Sequence, residues 1–370
     1  MRENLQPDFL PIENWLNNFN YPLIISGPCS AESEEQVVSQ AKVLNKIEHV
    51  RIFRAGIWKP RTRPHSFQGV GEKALLWMQR VKEETHLLTA AEVASPQHVE
   101  ACLKHNIDVL WIGARTTVNP FYVQNITDAL KGVDIPILVK NPINPDLNLW
   151  RGAIERLYMS GLKKIVAVHR GFNTYEKTPY RNNPIWDIPL ELKRIFPNLP
   201  IICDPSHIAG NRAFIQDISQ KAFNLDMCGL MIETHLTPHK AITDALQQIT
   251  PDQLESLLSK LVFRKEAGSF DFQKILDTLR NEIDTVDIEL LNLLKKRMDI
   301  VSKIGNHKSK HNITVYQVKR WNTIINERTE MAKKLGLNND FIIKMLRLVH
   351  DESILIQHKI MLPHSKKKKE

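Results

Sequence analysis

Cysteine is scarce in this 370-residue chain: Cys29, Cys102, Cys203 and Cys228 are widely scattered, with no CxxC pair. That excludes a disulfide framework and a zinc ribbon, and leaves reduced thiols as the default. No apolar run approaches the roughly 20 residues that a membrane span needs, and the opening MRENLQPDFL lacks the apolar core of a signal peptide. A cytoplasmic protein with no membrane partner is expected. No glycine-rich dinucleotide fingerprint follows the first apolar run, which weighs against a doubly wound open sheet. Acidic residues are outnumbered, 41 against 50 basic, and the imbalance is uneven. Residues 271–370 hold 20 Lys+Arg against 13 Asp+Glu, part of the surplus being the run Lys366–Lys369. Neither an aromatic-interleaved basic stretch nor a helix-turn-helix pattern accompanies the charge, so nucleic acid is not the expected partner.

The length favours two domains, and the hydrophobic period changes along the chain. Up to about residue 262, the apolar runs PLIIS, VRIFRA, HLLTA, DVLWIGA, IPILVK, KIVAVH, PIICD and GLMIET are each followed by a helical pattern. Eight strand-then-helix units over about 250 residues predict a (β/α)8 barrel, residues 1–262. FRKEAGSFD, residues 263–271, reads as a polar linker. Beyond it, Leu276, Leu279, Ile283, Val286, Leu290, Leu293, Ile300 and Ile304 keep a 4-3 spacing that predicts one helix of nearly forty residues, about 57 Å long. Two more helices are expected near 315–335 and 340–360, with LGLNND as the stop between them. The all-α three-helix domain is residues 272–362, and residues 363–370 form a basic tail.

Barrel active sites lie at the C-terminal ends of the strands. Those ends carry Cys29, Arg54, Arg115, Lys140, Arg170, His207 and Glu233, and the stretch RAGIWKPRTRPHSFQG at 54–69 adds Lys59 and Arg61. Six cations on one mouth repel one another, so their ligands should be polyanions bearing phosphate or carboxylate. A thiol, an imidazole and a carboxylate, with Asp244 just beyond, form a mixed donor set for one divalent metal ion: Mn, Fe, Co or Zn. In the helical segment Arg297 falls on the apolar stripe and needs an anion. Lys308 lies about 20° around the same helix and roughly 16 Å along it, so the two could grip one small ligand. Ser353 shares a stripe with Leu346, Val349 and Ile356, with Gln357 one turn on. A dimerising or regulatory bundle is the alternative reading of these helices.

The motifs GPCS at 27–30, RAGIWKPRT at 54–62, GAR at 113–115, VKNP at 139–142, HRG at 169–171, DPSH at 204–207 and IETH at 232–235 resemble, in order, those of the 3-deoxy-D-arabino-heptulosonate 7-phosphate (DAHP) synthases, in their short form. The resemblance implies a metal-dependent condensation of phosphoenolpyruvate with erythrose 4-phosphate. It implies Arg115, Lys140 and Arg170 on phosphoenolpyruvate with Arg54 nearby, Lys59 between the substrates, and Arg61 and Thr62 on the sugar phosphate. Cys29, His207, Glu233 and Asp244 would hold the metal. Asp204 would orient the aldehyde or water, or serve structurally before His207. HKAITDALQQ lacks the glycine expected after Asp244, and Lys59-Pro60-Arg61-Thr62 differs from the Lys-Ala-Asn-Arg of the relatives that use arabinose 5-phosphate. An aldolase working through a Schiff base on Lys140 is the remaining barrel alternative.

LRNEIDTVDIELLNLLKKRMDIVSKIGNHK followed by DESILIQ resembles the all-helical chorismate mutases. That likeness implies Arg297, Lys308, Arg320, Ser353 and Gln357 as chorismate contacts, with Arg280 supplied by the partner chain of a homodimer. Where acidic residues are expected around Arg320, Gln317 and Trp321 stand instead, and Trp321 fits an apolar stripe with Val318 and Ile325. One chain bearing an early and a late pathway step is also placed for feedback by chorismate or prephenate through the helices.

Overall fold

The computed structural model describes residues 7–17, 19–60, 65–264 and 270–362. Two compact units divide at Glu266/Ala267. Residues 265–269 of the expected linker and the whole basic tail lie outside the described residues.

In the first unit eight parallel strands close into a barrel in sequence order. They are β1 (Leu23–Gly27), β2 (Val50–Ala55), β3 (Leu88–Val93), β4 (Val109–Ile112), β5 (Ile137–Lys140), β6 (Ile165–His169), β7 (Ile201–Cys203) and β8 (Gly229–Glu233). Every residue of β1, β4, β5, β6, β7 and β8 is buried, because helices cover the outer face and side chains fill the inner one. The pleat sorts the two cores. Leu23 and Ile25 face the barrel interior with Ile52, Ala90, Val109, Trp111, Leu138, Val166, Val168, Ile202 and Met231, while Ile24 packs outward under the helices. Ile12 and Leu16 belong to the inner cluster too.

Capping residues start the helices where the strands end. Ser33 accepts from Gln36 N, Ser95 from His98 N and Asp146 from Leu149 N, and Thr250 forms a capping box with Gln253. Asp204 caps the short helix Pro205–Ala209 through His207 N, which fixes His207 at the mouth.

The second unit holds a long helix, Phe270–Lys310, then Val318–Lys334 and Asn339–Met361. The long helix packs chiefly on the third, where Gly305 permits close approach: a Cβ there would lie 3.2 Å from Gln357 Cγ. Its N-terminal stripe is solvent-facing in a single chain, with Leu279, Ile283, Val286 and Leu290 each half exposed or more. Among the described residues no helix is long and apolar enough to cross a membrane.

Candidate functional site

A cleft of about 460 Å³ opens at the C-terminal ends of the strands, lined by Lys59, Arg115, Lys140, Arg170, His207 and Asp244 together with Glu92, Asn173, Arg181 and Asn182. The buried indole of Trp111 packs against two of the cations, its centroid 4.9 Å from the Arg54 guanidinium and 5.9 Å from Lys140 Nζ. Lys140 donates to Asp204 Oδ2 at 2.7 Å, and the same oxygen lies 2.8 Å from His207 Nδ1. Burial opposes the Asp204 charge, but His207 and Lys140 outweigh it and hold the carboxyl well below its usual range. Arg170 is buried, and desolvation lowers its pKa to about 10. Its Nη1 donates to Asn182 Oδ1 at 2.9 Å, and its backbone N–H to Asn141 Oδ1 at 2.7 Å. A guanidinium buried with neutral partners is prepared for an incoming anion.

Beside these cations, one ligand atom from each of Cys29, Glu233 and Asp244 lies within 4.8 Å of the others. Cys29 Sγ is 3.2 Å from Asp244 Oδ2 and 3.0 Å from Lys59 Nζ, and His207 Nε2 is 3.8 Å from Glu233 Oε1. Burial, then the Glu233 charge, push the Cys29 thiol up to about 12. Burial also lowers the His207 pKa, favouring the neutral imidazole that can bind a metal. Asp244 reaches the cluster from a backbone at φ +49°, a conformation that aspartate tolerates better than most residues. Arg181 Nη1 steadies it at 3.0 Å, and Gln247 accepts from the same guanidinium while donating to Glu233 Oε2 at 2.7 Å.

Arg54 is fully buried behind the donors: it pairs with Glu233 Oε1 at 3.0 Å and donates to the Cys29 carbonyl at 3.1 Å. Its charge is therefore engaged by Glu233. Arg115 is exposed on the short helix Ala114–Thr117, and Arg61 and Thr62 lie outside the described residues.

In the helical unit, Arg297 Nη1 donates to Ser353 Oγ at 2.6 Å and to Val349 O at 3.4 Å. Gln357 Nε2 donates to Ser353 O at 3.1 Å, and among the described residues its buried Oε1 has no partner. Lys308 Nζ donates to Val315 O at 2.7 Å. Arg320 is exposed, and so is Arg280, which pairs with Asp277 at 3.4 Å. Trp321 is half-buried and Val318 exposed; the Trp321 ring lies 3.9 Å from that of His350 on the third helix, tilted by 33°, three residues before Ser353.

A family model described as the DAHP synthetase I family matches residues 17–267. The chain belongs to that family. A second model, chorismate mutase type II, matches residues 279–358, so this DAHP synthase family member is an enzyme with a synthase domain and a mutase domain. Phospho-2-dehydro-3-deoxyheptonate aldolase of Thermotoga maritima is 29% identical over 241 residues, 65% of this chain and 69% of its own. 2-dehydro-3-deoxyphosphooctonate aldolase of Desulfotalea psychrophila is 29% identical over 262 residues, covering 65% and 88%. A crystal structure of the Thermotoga maritima DAHP synthase matches with a TM-score of 0.61 at 27% identity, over 74% of this chain and 75% of that one.

Reading strand ends alone misses several residues of the synthase domain's cleft. Glu92, next to last in β3, lines the cleft with the cations, and Gly113 makes room for it, since a Cβ there would stand 2.1 Å from Glu92 Oε1. The lone carboxylate in LTAAEV was its available signal. Arg181, Asn182 and Gln247 come from loops without periodicity, and nothing in their sequence announces them.

Proposed function

We propose that the barrel of this DAHP synthase family member condenses phosphoenolpyruvate with erythrose 4-phosphate, and that its helical domain rearranges chorismate to prephenate. The observation that carries the first reading is the meeting of Lys59, Lys140 and Arg170, which line one cleft, with the Cys29–Glu233–Asp244 donors beside it, Asp244 shared between the two. Arg115, Lys140 and Arg170 bind the phosphate and carboxylate of phosphoenolpyruvate, and Lys59 stands where the two substrates meet. The donor set is chemically mixed, acidic and preformed, so it suits one divalent ion of borderline softness, with Cys29, His207, Glu233 and Asp244 as ligands. Bound there, such an ion supplies Lewis acidity to the aldehyde oxygen.

The chain's own groups do the rest. They orient the enol carbon of phosphoenolpyruvate towards the aldehyde, and the positive cleft compensates the charge that gathers as the carbon–carbon bond forms. Water then adds at the neighbouring carbon, and the C–O bond to phosphate breaks. Arg54 holds Glu233, and Asp204 orients His207 and Lys140. Lys140 Nζ is engaged by Asp204 Oδ2 at 2.7 Å, an ion pair that disfavours a Schiff-base role.

In the mutase domain Arg297, Lys308, Ser353 and Gln357 would fix the compact conformer of chorismate, with no acid, base or nucleophile required. Ser353 links the two side chains, accepting from Arg297 at its Oγ and from Gln357 at its carbonyl, and the buried Gln357 Oε1 has no partner among the described residues. The exposed apolar stripe of the long helix supports a homodimer in which Arg280 serves the partner's site. Prephenate or chorismate bound there would restrain the synthase. The soluble biosynthetic role fits a cytoplasmic enzyme.

The acceptor distinguishes this reading from its five-carbon relatives. With erythrose 4-phosphate the purified enzyme is expected to consume phosphoenolpyruvate at least about 100-fold more efficiently, by kcat/KM, than with arabinose 5-phosphate. Equal efficiency, or preference for the pentose, would overturn the assignment.

A further inference from the structure

The loop leaving β2 is closed at its base before it reaches the cleft. Lys59 N donates to Gln68 O at 2.8 Å and Gly71 N to Ile57 O at 3.2 Å. Gly69 crosses Ile57 at φ +96°, where a Cβ would stand 2.0 Å from the Ile57 carbonyl oxygen, so no side chain fits. From this base two neighbouring side chains diverge. Lys59 turns inward: its stem lies over Gly56, where a Cβ would come within 2.5 Å of Lys59 Cε, and its ammonium reaches Cys29 Sγ at 3.0 Å. Trp58 turns onto the helix Pro96–Lys104 and stacks on His98, with ring centroids 4.0 Å apart and planes 6° from parallel. The imidazole is fixed in turn, its Nδ1 accepting from Ala94 N at 3.2 Å.

We propose that the Trp58–His98 stack is the positioning contact that sets where Lys59 enters the cleft. The inference rests on the synthase reading of the barrel. Neither ring lines the described cleft, so the pair acts through Lys59 and not on substrate. Lysine has a long flexible stem whose ammonium follows its backbone, and a misplacement of about 1 Å can cost about 100-fold in rate. Arg115, Lys140 and Arg170 come from the C-terminal ends of β4, β5 and β6 and not from this loop, so the main grip on the phosphoenolpyruvate anion does not depend on the stack. The effect therefore falls on kcat.

The test uses the full-length, metal-supplemented enzyme and four variants: Trp58→Ala, Trp58→Phe, His98→Asn and His98→Phe. His98→Asn keeps an acceptor for Ala94 N and loses the ring; His98→Phe does the reverse. Trp58→Ala and His98→Asn are expected to lower kcat about tenfold or more while the KM for phosphoenolpyruvate stays within about twofold, and both Phe variants to retain about half the wild-type kcat. Wild-type kcat in Trp58→Ala, equal losses in the two His98 variants, or a rise in that KM matching the loss of kcat would overturn the proposal. Should the wild type not turn over, the synthase reading itself fails. Amide hydrogen exchange at Lys59 and Gly71 then decides the stack. Faster exchange in Trp58→Ala and His98→Asn but not in the Phe variants supports it, and unchanged exchange in all four rejects it.

Discussion

Cys29→Ala is expected to lower the synthase rate by about 10³-fold or more and to leave the purified protein without stoichiometric metal. Cys29, Glu233 and Asp244 bring three acidic groups within 4.8 Å of one another, with Lys59 against the thiol. Burial holds that thiol up to about 12, so the thiolate becomes stable only when a cation compensates it. Removing Sγ deletes the softest donor and leaves two carboxylates and an imidazole, a harder set with lower preference for Fe, Co or Zn. The fold should tolerate the change, because the side chain lost is small; the melting temperature should stay within about 4 °C of wild type. Rate measurement at saturating Mn, paired with metal analysis of the dialysed protein, checks both parts. Wild-type turnover in Cys29→Ala would remove the thiol from the chemistry.

Arg297→Ala should reduce chorismate-to-prephenate conversion by about 10²–10³-fold, mostly in kcat/KM. The guanidinium is half buried and bonded to Ser353 Oγ and Val349 O, neither of which is charged. Burial lowers its pKa, and among the described residues no carboxylate forms an ion pair with it. A dianionic substrate would provide the missing charge. Stability should therefore change little, whereas loss of the anion grip is felt directly. The same variant reads the regulatory proposal: inhibition of the synthase by prephenate should vanish with it. Undiminished mutase turnover in Arg297→Ala would exclude this pocket, and a wild type without mutase turnover would favour a purely regulatory bundle.

The legible parts of the sequence are those in which one residue meets a periodic environment. Strand runs such as KIVAVH and PIICD read cleanly because β6 and β7 are buried on both faces, and the long helix follows from its 4-3 stripe. The strand-end rule brings Lys140, Arg170 and Glu233 to one mouth for the same reason. What local sequence does not encode is which charges end up opposite one another. Arg54 is next to last in β2 and Lys140 ends β5, yet one is spent on Glu233 and the other lines the cleft, a difference fixed by barrel closure between β1, β2 and β8. Arg181 and Gln247 reach Asp244 from loops far apart in sequence, and His350 meets Trp321 only once the second and third helices pack. The stack of Trp58 on His98 is invisible in the linear chain for that same reason.

The central claim is that the anion-gripping cations and the Cys29–Glu233–Asp244 donors form one metal-dependent site. The most direct measurement is the initial rate of phosphoenolpyruvate consumption with erythrose 4-phosphate, taken before chelation, after chelation and dialysis, and after stepwise return of one divalent ion. Turnover should fall by at least about 100-fold on chelation and recover at one equivalent of metal per chain. A rate unchanged by chelation would contradict the account and return the barrel to a metal-free aldolase using Lys140.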